Sequence, residues 1–163
     1  MLRVILAVLA LLGPLVQAQA AAPEKGAHVK AELVSEARDI VPCNSFRVSV
    51  RLTMDKGWHT YSDPPGDSGM PTKIVWDLPP GFSAGAIEWP KPKKFREGDI
   101  VSLGYDGQAD LKVSISAPAR VKGKAVTLKA RVQWLECKDA CLTGEASVRL
   151  TLPVRAAVSV KGT

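Results

Sequence analysis

A chain of 163 residues, 46% hydrophobic but only 6% aromatic, has room for one domain with a real apolar core and a short extension. Its formal charge is +6, and removing Arg3 with the first 20 residues leaves +5 over the remaining 143. Acidic residues are mixed among the basic ones, which argues against a nucleic-acid partner, and no apolar run reaches the roughly 18 residues of a membrane helix.

Met1-Leu2-Arg3 opens the chain with a positive charge, Val4 to Val16 is apolar apart from Gly13-Pro14, and Ala18-Gln19-Ala20 has the small residues of a cleavage site. Residues 1–20 therefore read as a signal peptide cleaved near Ala20. The mature chain, 21–163, reads as a single exported domain, in a compartment that permits disulfides and with no insertion into the membrane.

The body reads as strands. After a candidate over 29–37, Val41-Pro42-Cys43-Asn44 forms a turn in which Cys43 reads as a buried spare thiol in preference to an exposed reactive thiol or an intermolecular bridge. Phe46, Val48, Val50, Leu52 and Met54 then alternate with polar residues, the period of a half-buried strand. A short strand over 57–61 carries Trp58, His59 and Tyr61 and stops at the turn signal Pro64-Pro65-Gly66. Gly66-Asp67-Ser68-Gly69 resembles a serine-protease nucleophile segment. However, His59 lies only nine residues before Ser68 and one small sandwich cannot supply two barrels, so a glycine turn is the better reading.

Strands over 72–78 and 82–89 follow, then the basic stretch Lys91, Lys93, Lys94 and Arg96 around Phe95, read as a solvated loop or a docking patch for an acidic partner. Further strands fall at 100–105, 111–115, 126–134 and 146–154, separated by Asp106-Gly107 and Lys122-Gly123-Lys124. No stretch keeps a helical period. Seven to nine short strands with regular turns point to an all-β, antiparallel β-sandwich. The four tryptophans read as core or rim packing, and His28 as surface.

Cys137-Lys138-Asp139-Ala140-Cys141 is the chain's most informative segment. Residues i and i+4 of an extended strand lie about 13 Å apart, far beyond the reach of a disulfide, so a bridge here requires a turn between the sulfurs. The pair falls in the connection between the strand ending at Glu136 and the one starting near Ala146. A five-residue ring contributes only about 2 kcal/mol, which makes it a weak staple, while a hairpin tip leaves sulfurs accessible to another protein. Redox exchange, an inert clasp and metal ligation all remain open at this point. Two thiolates lack the further ligands zinc prefers, though soft copper with His59 or Met70 fits the donor types.

A resemblance weighs on that choice. Gly57-Trp58-His59-Thr60-Tyr61, Pro65-Gly66-Asp67-Ser68-Gly69-Met70-Pro71-Thr72, Leu78-Pro79-Pro80-Gly81-Phe82, Trp89-Pro90, Gly104-Tyr105 and Trp134-Leu135-Glu136-Cys137-Lys138-Asp139-Ala140-Cys141 stand in the order found in proteins similar to the N-terminal periplasmic domain of the thiol:disulfide interchange protein DsbD. It covers about 27–155. The resemblance implies an immunoglobulin-like sandwich in the periplasm and a thiol:disulfide oxidoreductase of the protein-disulfide reductase type, with no cofactor and no bound metal.

It further implies that Cys137 and Cys141 are the redox pair, with Cys141 meeting partners. Phe95 becomes the aromatic of a cap loop, and Tyr61 and His59 become site-lining residues. Electrons would come from a separate membrane-embedded reductant, DsbD- or CcdA-like, because the membrane portion and the thioredoxin-like domain of full-length DsbD are missing from this sequence. They would pass to periplasmic thioredoxin-like or disulfide-bearing proteins. The cysteine spacing of three intervening residues is shorter than in the best-known domain. The alternative is a non-catalytic exported binding module, for metal or a client protein, with a structural disulfide.

Overall fold

A computed structural model describes residues 28–155, so the expected signal peptide and its cleavage near Ala20 lie outside the described residues. Ten strands follow in chain order: β1 Val29–Ser35, β2 Ser45–Met54, β3 His59–Gly66, β4 Lys73–Asp77, β5 Ser83–Glu88, β6 Lys93–Glu97, β7 Ile100–Asp106, β8 Gln108–Ser116, β9 Ala125–Cys137 and β10 Cys141–Pro153. They form an antiparallel sandwich of two sheets, as the pattern of short strands and turns predicted. One sheet has the order β1-β2-β8-β5; the other runs β10-β9-β3-β7-β6, with β4 also paired to β9.

The core comes from the period of two. Val48, Val50 and Leu52 of β2 face Leu111, Val113 and Ile115 of β8 on one sheet, and Leu128 and Val132 of β9 with Val148, Leu150 and Leu152 of β10 on the other, all buried. Fully burying a side chain of this size is worth about 1.5–3 kcal/mol, so these alternating rows dominate the stability. Trp134 is buried, while Trp58, Trp76 and Trp89 pack half-buried against the same cluster.

Four local expectations are corrected. Pro64-Pro65-Gly66 does not end β3, which runs on to Gly66 with an irregularity in its register after Tyr61. Residues 93–97, expected as loop, form strand β6 of a tight hairpin with β7, Glu97 facing Ile100 across the tip. The last strand starts at Cys141 rather than near Ala146, because full-length pairing with β9 outweighs the polar, glycine-containing sequence there. Cys43 is exposed, not buried, in a turn where its own φ is 64°.

Strand β9 positions the site. Along one edge it pairs with β10 over its whole length; along the other it takes β4 over residues 129–133 and meets β3 where His59 faces Cys137. The sulfur-bearing end of β9 thus lies between the last strand and the strand carrying His59 and Tyr61. No helix among the described residues is long and apolar enough to cross a membrane.

Candidate functional site

Cys137 ends β9 and Cys141 begins β10, directly opposed, with Lys138-Asp139-Ala140 making the turn that the spacing demanded. Their Cα atoms are 4.1 Å apart, near the about 4.5 Å of a non-hydrogen-bonded cross-strand pair, and the sulfurs are joined in a disulfide. The two sulfurs sit in unlike surroundings. Cys137 is 2% exposed, whereas Cys141 is at the surface.

Tyr61 and His59, two residues apart on β3, point to the same face as Cys137. The Tyr61 hydroxyl donates to Cys137 Sγ at 3.0 Å, and His59 Nε2 lies 3.3 Å from the Tyr61 oxygen. Since the single hydroxyl proton is directed at sulfur, the His59 tautomer that completes the chain carries its proton on Nε2 and donates to Tyr61. Burial pushes His59 below its usual 6.5, outweighing the opposing pull of Glu97 and Asp106. Burial first, then Glu97, pushes Tyr61 above its usual 10. Both groups are neutral at pH 7.

Phe95 covers this chain. Its ring stacks on the His59 imidazole, centroids 4.4 Å apart and planes 14° apart, while His59 meets Tyr61 edge-on. The two-residue tip of the β6–β7 hairpin, Gly98-Asp99, folds β6 back along β7, and Lys93 ties the hairpin base to Asp106. The structure therefore brings all five expected residues, Cys137, Cys141, Tyr61, His59 and Phe95, into one cluster, with Phe95 on a strand rather than in the expected loop. Lys94 and Arg96 alternate with Phe95 and point to the other face of the hairpin.

Sequence reasoning missed two supports. Gly69, at φ +108°, lies flat on the Tyr61 ring; a Cβ there would come within 2.1 Å of Tyr61 Cδ1, so only glycine lets this turn brace the tyrosine. Gly66-Asp67-Ser68-Gly69 is thus the back wall of the site, held by Asp67, which accepts from the Val101 N–H, and by Ser68 on Ser102. Glu136 is 1% exposed and accepts from Trp134 Nε1 at 2.8 Å and from the His28 N–H at 2.9 Å. Those donors offset the cost of burying a carboxylate and pin the strand beneath Cys137. His28 is no loose surface residue, since its ring stacks on Trp58 at 3.8 Å.

Among the described residues no group of three or more His, Cys, Asp or Glu side chains is placed to hold a metal ion. With His59 Nε2 directed at Tyr61, the cluster is arranged to shield one sulfur, present the other and donate a hydrogen bond to the shielded one.

A family model described as "Thiol:disulfide interchange protein DsbD, N-terminal" matches residues 30–153. No curated protein matches the chain. Among solved structures, the N-terminal periplasmic domain of ScsB from Proteus mirabilis is 22% identical with a TM-score of 0.49, over 75% of this chain and 44% of that one. The reduced N-terminal domain of DsbD from Neisseria meningitidis is 17% identical with a TM-score of 0.44, over 77% of this chain and 90% of that one. The chain spans under half of the ScsB structure. With the family model covering most of its length and a disulfide between Cys137 and Cys141, the chain belongs to the DsbD N-terminal family of thiol–disulfide exchange domains.

Proposed function

We propose that this is a periplasmic relay. It takes electrons from a separate membrane-embedded dithiol and delivers them to thioredoxin-like or other disulfide-bearing proteins through Cys137 and Cys141. The observation that carries the reading is the asymmetry of the pair: one sulfur exposed, the other buried under a tyrosine hydroxyl and an aromatic stack.

A donor thiolate attacks the exposed Cys141 Sγ. The Cys137–Cys141 bond breaks, its electron pair remains on Cys137 Sγ, and a mixed disulfide joins donor and Cys141. Tyr61 already directs its O–H at that sulfur and His59 holds Tyr61, so the emerging thiolate meets an oriented donor. The donor's second thiolate then attacks its own sulfur in the mixed disulfide, expelling Cys141 thiolate and leaving donor disulfide and reduced pair. Delivery is the reverse. Cys141 thiolate attacks a client disulfide and one client thiolate departs; Cys137 thiolate then attacks Cys141 Sγ, expelling the second and re-forming the internal bond.

The test is a trap. With Cys43→Ser in both variants, Cys137→Ser should accumulate mixed disulfides at Cys141 in a membrane-containing extract, because the resolving thiol is gone; Cys141→Ser should accumulate at least about tenfold less. Equal trapping refutes the division of labour. No trapping, together with a reduction potential below about −300 mV, favours a clasp in a binding module.

A further inference from the structure

The sheet face that carries the disulfide continues into a groove that the exchange chemistry above does not use. Strand β10 pairs with β9 in unbroken register from Cys141 onward, so Thr143 and Glu145 share the face of Cys141, each pair of residues advancing about 6.8 Å. Two cross-strand rows mark the limits: Cys141, Cys137 and His59 at one end, Glu145, Gln133 and Lys73 at the other. Between them is a groove of about 380 Å³ whose lining includes Thr143, Gly144, Trp134, Met70 and Pro71.

The groove is continuous with the sulfurs on two sides. Thr143 is two residues from Cys141, and Pro71 is bridged to Tyr61, whose hydroxyl lies on Cys137. Its character is apolar with a polar far rim, where Gln133 donates to Glu145. Gly144 is part of the design: a Cβ there would come within 2.3 Å of the Trp134 indole, so the bare backbone lets the ring pack against β10. Met70, 51% exposed, supplies a wall able to mould to different shapes.

Resting on the exchange reading, we infer that this groove is the subsite for the partner's polypeptide: an extended segment carrying a bulky apolar side chain two residues from the cysteine that bonds to Cys141. The bond to Cys141 places the partner's cysteine at the near end. An extended chain then advances by the same spacing as Cys141 to Thr143, carrying the side chain two residues on toward Met70 and Pro71. The volume lies within the about 300–1,000 Å³ of binding clefts. A methionine wall suits a protein that must accept more than one partner at the same sulfur.

The experiment uses the full mature chain with Cys43→Ser and Cys137→Ser, its Cys141 carried as a mixed disulfide with glutathione. Exchange with a peptide thiol transfers Cys141 from glutathione to the peptide and releases glutathione, with no net oxidation. The acetylated, amidated peptide Gly-Leu-Gly-Cys-Gly-Leu-Gly, which offers leucine in both chain directions, is compared with its all-glycine counterpart. The leucine peptide should be favoured by about tenfold or more, the effect of removing one aliphatic side chain from water. Met70→Glu and Thr143→Glu, at two exposed positions, should each bring that ratio close to one. A ratio near one in the parent, or a preference that survives both substitutions, overturns the subsite. Failure to form any mixed disulfide with glutathione overturns the exchange reading with it.

Discussion

The outward faces of the two sheets follow the same period of two and end as chemical opposites. On the four-stranded sheet the outward groups are ionic: Arg51 forks onto Asp110 at 2.8 and 3.0 Å, Arg47 lies near Glu88, and Lys112 reaches Glu36. Hydrogen bonding to Arg51 lowers the Asp110 pKa and raises that of Arg51, so both remain charged. On the six-stranded sheet the outward groups at the β3–β9 junction are His59, Tyr61 and Cys137, buried and neutral. The difference comes from what folds back over each face. The β6–β7 hairpin and the Gly69 turn cover one set of outward residues, while the other set stays partly in water and meets its charge by pairing. A solvent-facing row becomes a reactive site here by being covered, and covering it removes the option of surface ion pairs.

Uncovering the site should have the largest effect. Phe95→Ala removes the ring stacked on His59, worth about 2 kcal/mol in buried area and stacking, so in a Cys43→Ser background the shielded Cys137 of reduced protein should react with iodoacetamide about thirtyfold faster. Arg51→Met, on the ionic face, should leave that rate where it is. If the Phe95 variant folds and alkylates at the parent rate, the aromatic is mere packing and the contrast between the faces loses its meaning.

Removing the oriented donor comes next. Tyr61→Phe keeps the ring that Gly69 packs on but deletes the O–H aimed at Cys137 Sγ. A hydrogen bond to a charged group is worth about 1.5–3 kcal/mol, so the Cys137 thiolate should titrate about one unit or more higher, read from thiolate absorbance in a Cys43→Ser background. An unchanged titration means the hydroxyl does not act on the thiolate.

Acid should separate the two faces with the smallest effect. His59 has a folded pKa below its unfolded 6.5, so the unfolded or uncovered state binds the proton more readily; stability on this side falls as pH drops below about 6.5. Glu97 and Asp106 oppose that trend, and His59→Gln should abolish it. Asp110 has a folded pKa below 3.8, so its contribution is complete above that value and lost only as pH falls further. Thermal unfolding from pH 7.5 to 3 should show two separate declines, the first absent in the His59 variant. A single decline in the parent below pH 4 contradicts the neutral, buried histidine.

The strands were legible wherever one face is buried. Phe46 to Met54 alternates cleanly, and β2 spans Ser45–Met54 as that pattern requires. The alternation says nothing about β6, whose Lys-Lys-Phe-Arg-Glu has one apolar residue and owes its strand form to pairing with β7. Nor did it reveal the start of β10, where Cys-Leu-Thr-Gly-Glu is held extended by β9. Cys43 was misjudged because the usual burial of a free cysteine competes with turn geometry, and at φ 64° the turn prevailed.

By itself the sequence determined the period-two sandwich and the need for a turn between Cys137 and Cys141, since both follow from neighbours within a few residues. Only the tertiary structure decided which sulfur is hidden, that Phe95 lies on His59, that Tyr61 reaches a sulfur 76 positions away, and that Gly69 and Met70 flank the site. Those contacts depend on how a hairpin and a glycine turn fold back over one sheet face. The free energy that selects that arrangement lies in packing between distant segments, which local pattern does not encode.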